Sequence, residues 1–157
     1  MLHIFLSAPY YCTYVQPSSD LIPSKIKNNL KFFLYFQDAI GAIDGSHIPV
    51  APPAQLQGQY WNQKSYLSQN VLFTCDFDLK FTYMLSGWEG LATDAHVYDH
   101  ATSKLLHIPQ GKYLLANVSY PLTPQLLVPF LGIHYHLAEW GCANIQYMIY
   151  PSQLFFT

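Results

Sequence analysis

Residues 39–50 read AIGAIDGSHIPV, an apolar, β-branched run interrupted by a single Asp-Gly, which is the pattern of a core strand. Two more apolar runs follow at residues 70–76 (NVLFTCD) and 80–88 (KFTYMLSGW). Phe77, Asp78 and Leu79 between them suit a hairpin turn, so these two strands are expected to pair antiparallel. Gly90 closes the strand region. Thr93 or Asp94 can then cap a helix reaching to about Lys104, with Val97, Tyr98 and Ala101 along one face. Residues 112–118 (KYLLANV) read as a fourth strand and residues 124–130 as a short helix. Upstream, residues 24–36 (SKIKNNLKFFLYF) predict a helix capped by Ser24. Pro9, Pro17 and Pro23, with Ser18 and Ser19, mark a loop-rich lead-in through residue 30, and PVAPPAQLQGQ is a further loop. The order of strand, strand, strand, helix, strand, helix predicts an α/β architecture with a mixed sheet flanked by helices.

Composition narrows the class. A chain of 157 residues can bury a core of its own, and 17% aromatic content excludes a disordered one. Charged residues make up only 10%, against roughly 25% in ordinary soluble domains. No run approaches the roughly 18 apolar residues of a spanning helix, so no membrane partner is expected. The opening MLHIFLSA lacks the basic start of a secretory signal. Cys12, Cys75 and Cys142 have no ligand spacing and read as reduced thiols. Seven lysines, no arginine and nine acids give a net charge of -2. That balance argues against a phosphate-binding surface, which favours arginine.

Two acids stand out. Asp44 lies within an apolar strand, where burial is costly unless the carboxylate is paired or holds a metal. Gly45 beside it would let a ligand approach the backbone. The same dipeptide also suits a strand-end turn. Asp94 opens a predicted helix, where a plain N-cap role is equally natural. Taken together, they are two carboxylates at adjacent element ends, an arrangement that holds divalent ions for phosphoryl transfer. His96 and His100 have zinc-binding spacing but no third ligand. His134 and His136 share a strand face, and Asp76 and Asp78 belong to the hairpin turn. No Gly-rich phosphate loop, GxSxG elbow or CxxC occurs.

As phrases, KFFLYFQDAIGAIDGSHIPV, QYWNQKSYLSQNVLFTCDFDLKFTYMLSGWEGLATDAHVYDHA and KYLLANVSYPLTPQLLVPFLGIHYHLAEWG resemble the DDE superfamily endonucleases of Harbinger/PIF-type transposases, especially fungal members. The resemblance covers residues 31–141, and the motifs fall in family order: IDGTHI, NRKGxxSxN, GxEGSAxD, then LxDxGYP. It implies a ribonuclease-H-like fold, which the element order also matches. It further implies carboxylates holding two divalent ions, Mg2+ or Mn2+, that activate water or a 3'-hydroxyl against a DNA phosphodiester. Asp44 matches the first acid and Asp94 the second. A nuclear location and a separate Myb-like DNA-binding partner are implied as well.

The departures shape the expected function. Asn117 replaces the acid of LxDxGYP, keeping its shape without its charge at a metal-ligand position. No ER-FG phrase follows Gly141, Glu139 belongs to the earlier YHLAEWG phrase, and residues 142–157 form a divergent tail. The sequence therefore predicts a C-terminally truncated, catalytically inactive copy. The alternative is a non-catalytic module that binds DNA or protein. Gln63, His96, His134 and Cys142 stand where the family phrases carry Arg. Those changes, and the ones giving Leu34, Leu91, Asn117, Val118 and Ser119, are each one C-to-T or G-to-A step, whereas Leu131 is not. Decay by cytosine deamination would account for the missing arginines.

Overall fold

The computed structural model describes Tyr11, residues 13–16 and residues 21–130. Two short helices, α1 (Ser24–Lys27) and α2 (Leu30–Phe36), precede β1 (Ala39–Pro49). A 3-10 turn (Ala54–Leu56) and α3 (Gln57–Tyr60) lead to β2 (Ser68–Cys75) and β3 (Phe81–Glu89). Then come α4 (Asp94–Lys104), β4 (Tyr113–Leu115) and β5 (Leu126–Leu127). The five strands form one sheet in the order β3-β2-β1-β4-β5. The first three pair antiparallel, β4 runs parallel to β1, and β5 runs parallel to β4. This is the ribonuclease-H-like arrangement that the element order predicts.

One apolar cluster ties the layers together. Ile40, Ile43, Leu72, Tyr83 and Leu114 of the sheet pack with Val97, Tyr98 and Ala101, the predicted inner face of α4. Leu72, Val97 and Ala101 are completely buried, and each Leu or Val so buried stabilises the fold by about 1.5–3 kcal/mol. The hairpin falls where the sequence places it, with Cys75 paired to Phe81 across the turn.

Two expectations change. Ser24 does not cap a continuous helix: Pro23 occupies the cap of α1 without a side-chain bond, and the helix breaks at Asn28 and Asn29. Asn29 caps α2 instead, its side chain accepting from the Lys31 N–H at 3.0 Å. Asparagine competes with helical hydrogen bonding in just this way. Residues 124–130 form no helix. Pro129 has no N–H with which to continue a helix, so the segment gains more from pairing with the sheet. The open edge of β4 captures the segment, with Leu114 N donating to Gln125 O (2.9 Å) and Ala116 N to Leu127 O (3.0 Å). Leu126 is thereby driven into the core at 1% exposure.

Candidate functional site

Parallel pairing of β1 with β4 runs only as far as Ala42 opposite Leu115. Asp44, midway along β1, and Asn117, just beyond β4, each lie two residues further on, so the register sets them side by side past the carboxyl end of the parallel-paired stretch. In open α/β sheets sites are built beyond that end of parallel strands. Asn117 Nδ2 donates to Asp44 Oδ1 at 2.9 Å, and the same oxygen accepts from the Gly45 N–H at 2.9 Å. Asp44 is exposed, because β1 is covered only through Ile43. The cost of burial, which singles it out in the sequence, is therefore not the reason it sits here.

Asp94 is the first residue of α4, and Thr93 takes the capping role, accepting from the His96 N–H at 3.3 Å. The Asp94 side chain is thus free to point across the sheet end. Its Oδ1 accepts from Asn70 Nδ2 at 3.0 Å and its Oδ2 from Ser119 Oγ at 3.0 Å. Gly45 makes this possible. A Cβ there would collide with Asp94 Oδ1, so the space beside the glycine serves the second acid.

The residues that support the two acids carry no mark of that role in the sequence pattern. Asn70, 1% exposed, also donates to Ala92 O at 3.0 Å, tying β2 to the entry of α4. Asn62 organises the preceding loop, donating to Ser68 Oγ and accepting from the Lys64 and Tyr66 N–H groups. Ser68 in turn meets His47 Nδ1 at 3.1 Å. The available signal was the phrase NQKSYLSQN, which places Ser68, Gln69 and Asn70 at the start of a buried strand. Polar residues in such places are nearly always bonded.

Beyond β4, Asn117 Oδ1 accepts from the Ser119 N–H at 2.8 Å and contacts Ser119 Oγ. Next along, Tyr120 is buried, and its hydroxyl has no hydrogen-bond partner among the described residues. Burial raises its pKa, and the charges of Asp94 and Asp44 raise it further. The other candidates lie apart. His96 and His100 pack edge-on against Trp88, at 5.1 and 4.9 Å between ring centroids. Asp76 shapes the hairpin by accepting from the Asp78 and Lys80 N–H groups. Cys75 is a free, half-buried thiol, while Cys12, His134, His136 and Cys142 lie outside the described residues.

A model of the DDE superfamily endonuclease family matches residues 43–146, a span containing Asp44, Asp94 and Asn117. The chain belongs to this family. An Arabidopsis thaliana relative, Protein Antagonist of Like Heterochromatin Protein 1, is 28% identical over 135 residues. That alignment takes in 75% of this chain and 34% of the relative, so the chain spans about a third of the relative's length. No solved structure matches.

DDE chemistry needs oxygen ligands, and here Asp44 and Asp94 offer carboxylates. No group of three or more His, Cys, Asp or Glu side chains occurs among the described residues. Asn117 presents its NH2 toward Asp44, a sense set by the Ser119 N–H engaging its Oδ1. A donor group rather than a ligand oxygen therefore faces Asp44. Among the described residues, these side chains do not make up a two-ion centre.

Proposed function

We propose that this chain is a catalytically silent DDE endonuclease domain, descended from a Harbinger-type transposase nuclease. Asp44 and Asp94 hold the positions of two of its catalytic acids. The observation that carries the reading is the orientation of Asn117: a donor group, fixed in place, stands where the ancestral carboxylate would bind Mg2+ or Mn2+. In-line phosphodiester cleavage with two metals needs both the attacking and leaving oxygens stabilised. Asp44 and Asp94 alone cannot supply that. DNA is the ancestral substrate and the nucleus the ancestral location, yet no arginine and a net charge of -2 leave little to hold phosphates.

A second reading, a protein-binding module kept after catalysis was lost, is favoured by α2. None of its seven residues, LKFFLYF, is buried, and Leu30, Phe32 and Leu34 are exposed. The helix is nevertheless held in place, since Tyr113 Oη donates to Tyr35 O at 2.7 Å and Lys112 pairs with Asp38 at 3.1 Å. The relative's name describes antagonism of a heterochromatin protein, a role compatible with such a module.

Nicking of supercoiled DNA in Mg2+ or Mn2+ tests the first reading. The chain is expected to nick no faster than its Asp44→Ala variant, and cleavage that disappears in that variant would refute silence. Retention of DNA in low salt, lost as salt rises and indifferent to metal, would instead mark a surviving DNA-binding role.

A further inference from the structure

We propose that Asn117 and Ser119 together stand in for the missing cation, tying Asp44 to Asp94 with neutral donors so that the site holds together without metal. This rests on reading Asp44, Asp94 and position 117 as a former three-acid centre. The connection is continuous. Asn117 Nδ2 donates to Asp44 Oδ1 (2.9 Å), Ser119 N donates to Asn117 Oδ1 (2.8 Å), and Ser119 Oγ donates to Asp94 Oδ2 (3.0 Å). The Ser119 hydroxyl has one proton and two acceptors in reach, Asp94 Oδ2 and Asn117 Oδ1. The carboxylate is the stronger acceptor and Asn117 Oδ1 the nearer one, so the hydroxyl bridges Asn117 and Asp94 by sharing its proton between them.

The two side chains divide the work. An aspartate at 117 would bring a carboxylate against Asp44, and like charges at that range need a cation between them. The amide reverses the sign of the contact from repulsion to a charge-assisted hydrogen bond. The backbone N–H of residue 119, a donor with a fixed position, selects which end of the amide faces Asp44. Ser119 occupies the glycine position of LxDxGYP, and its hydroxyl gives Asp94 a donor that glycine cannot provide. One substitution therefore serves each acid. Random loss of a metal ligand would leave Asp44 with the Gly45 N–H and Asp94 with Asn70 alone, whereas here each gains a further donor from the segment after β4.

Thermal melts of the whole chain in EDTA and in Mn2+ test this. The wild type is expected to melt at the same temperature in both. Asn117→Asp should melt about 2–4 °C lower in EDTA, and Mn2+ should restore it. Adding Ser119→Gly should enlarge the Mn2+ response, since the competing hydroxyl is gone. Should the aspartate variant fail to fold, Asn117→Ala decides: it should melt lower than wild type to the same extent with and without Mn2+. An Asn117→Ala melt equal to wild type would show that the tie bears no load. Mn2+ stabilising the wild type as strongly as Asn117→Asp would show that a cation displaces the tie. Either result overturns the inference. Neither depends on cleavage, so the nicking assay judges the silent-nuclease reading separately: a flat Asn117→Ala melt leaves that reading standing, and nicking by the wild type refutes it whatever the melts show.

Discussion

Single residues record how far this chain has moved from its family pattern. Ser65 adopts φ 60° in the loop NQKS, at the position where NRKGxxSxN carries glycine. A side chain in the left-handed region costs about 1–2 kcal/mol, and Ser65 is exposed, with little packing to offset the cost. Part of the benefit of glycine is lost to its freer unfolded chain. Ser65→Gly is therefore expected to stabilise the domain by about 0.5–1 kcal/mol, seen in urea as a higher midpoint with an unchanged m-value. A lower midpoint would mean that the serine side chain contributes more than its backbone strain costs. Legibility at this scale was uneven. Asp44 and Asp94 were visible as acids in conspicuous settings, although Asp44 is exposed and its assumed burial was not the cause. The role of Gly45 was half legible: close approach was expected, but the group that approaches is the Asp94 carboxylate. Asn70 went unseen because a buried amide leaves no periodic signature, only a partner that the folded chain supplies.

Among the elements, the hairpin of β2 and β3 is the most local and was the most readable, since its turn and both flanking runs are contiguous. Its turn carries a flaw of its own. Leu79 N donates to Asp76 O (3.2 Å) and Asp76 N to Lys80 O (2.9 Å), closing a turn with Leu79 at φ 64°. Such turns place glycine at the left-handed position, and Leu79 is 81% exposed. Leu79→Gly should raise stability by about 1 kcal/mol, and guanidinium unfolding followed by circular dichroism would measure it. A destabilised variant would mean that the leucine has a contact in the folded state worth more than the strain. The long strands were legible because apolar runs mark any buried strand. β5 was not: two residues define no period, and only the edge of β4 makes them a strand. Nor was the pairing of Asp44 with Asn117 legible, since the register linking β1 to β4 joins segments about 70 residues apart and nothing local encodes it.

For the molecule as a whole, tyrosine burial sets a limit on stability that charge composition alone hides. Tyr83, Tyr98, Tyr113 and Tyr120 all have pKa values raised above 10.0, with burial the leading cause in each. Tyr113 is pushed up to about 12 by burial and by the charge of Asp38. In the unfolded chain these phenols ionise near their ordinary value, while the folded domain keeps them protonated. The stability they contribute is therefore complete below pH 10 and is lost as pH rises toward and through about 12. A cooperative alkaline unfolding is expected in that window, with tyrosinate absorbance and loss of near-UV circular dichroism rising together. Ionisation complete before any loss of structure would show that these rings titrate in the folded state. Tyr120 separates the causes. Its hydroxyl has no partner among the described residues and stands near Asp94 and Asp44, so Tyr120→Phe removes an ionising group without breaking a hydrogen bond to any of them. That variant should keep its neutral-pH stability, because an unsatisfied buried hydroxyl contributes little, and should unfold at a higher pH than wild type. A drop at neutral pH would instead place a bound water or ion on the Tyr120 hydroxyl, making it a working part of the site beneath the two acids.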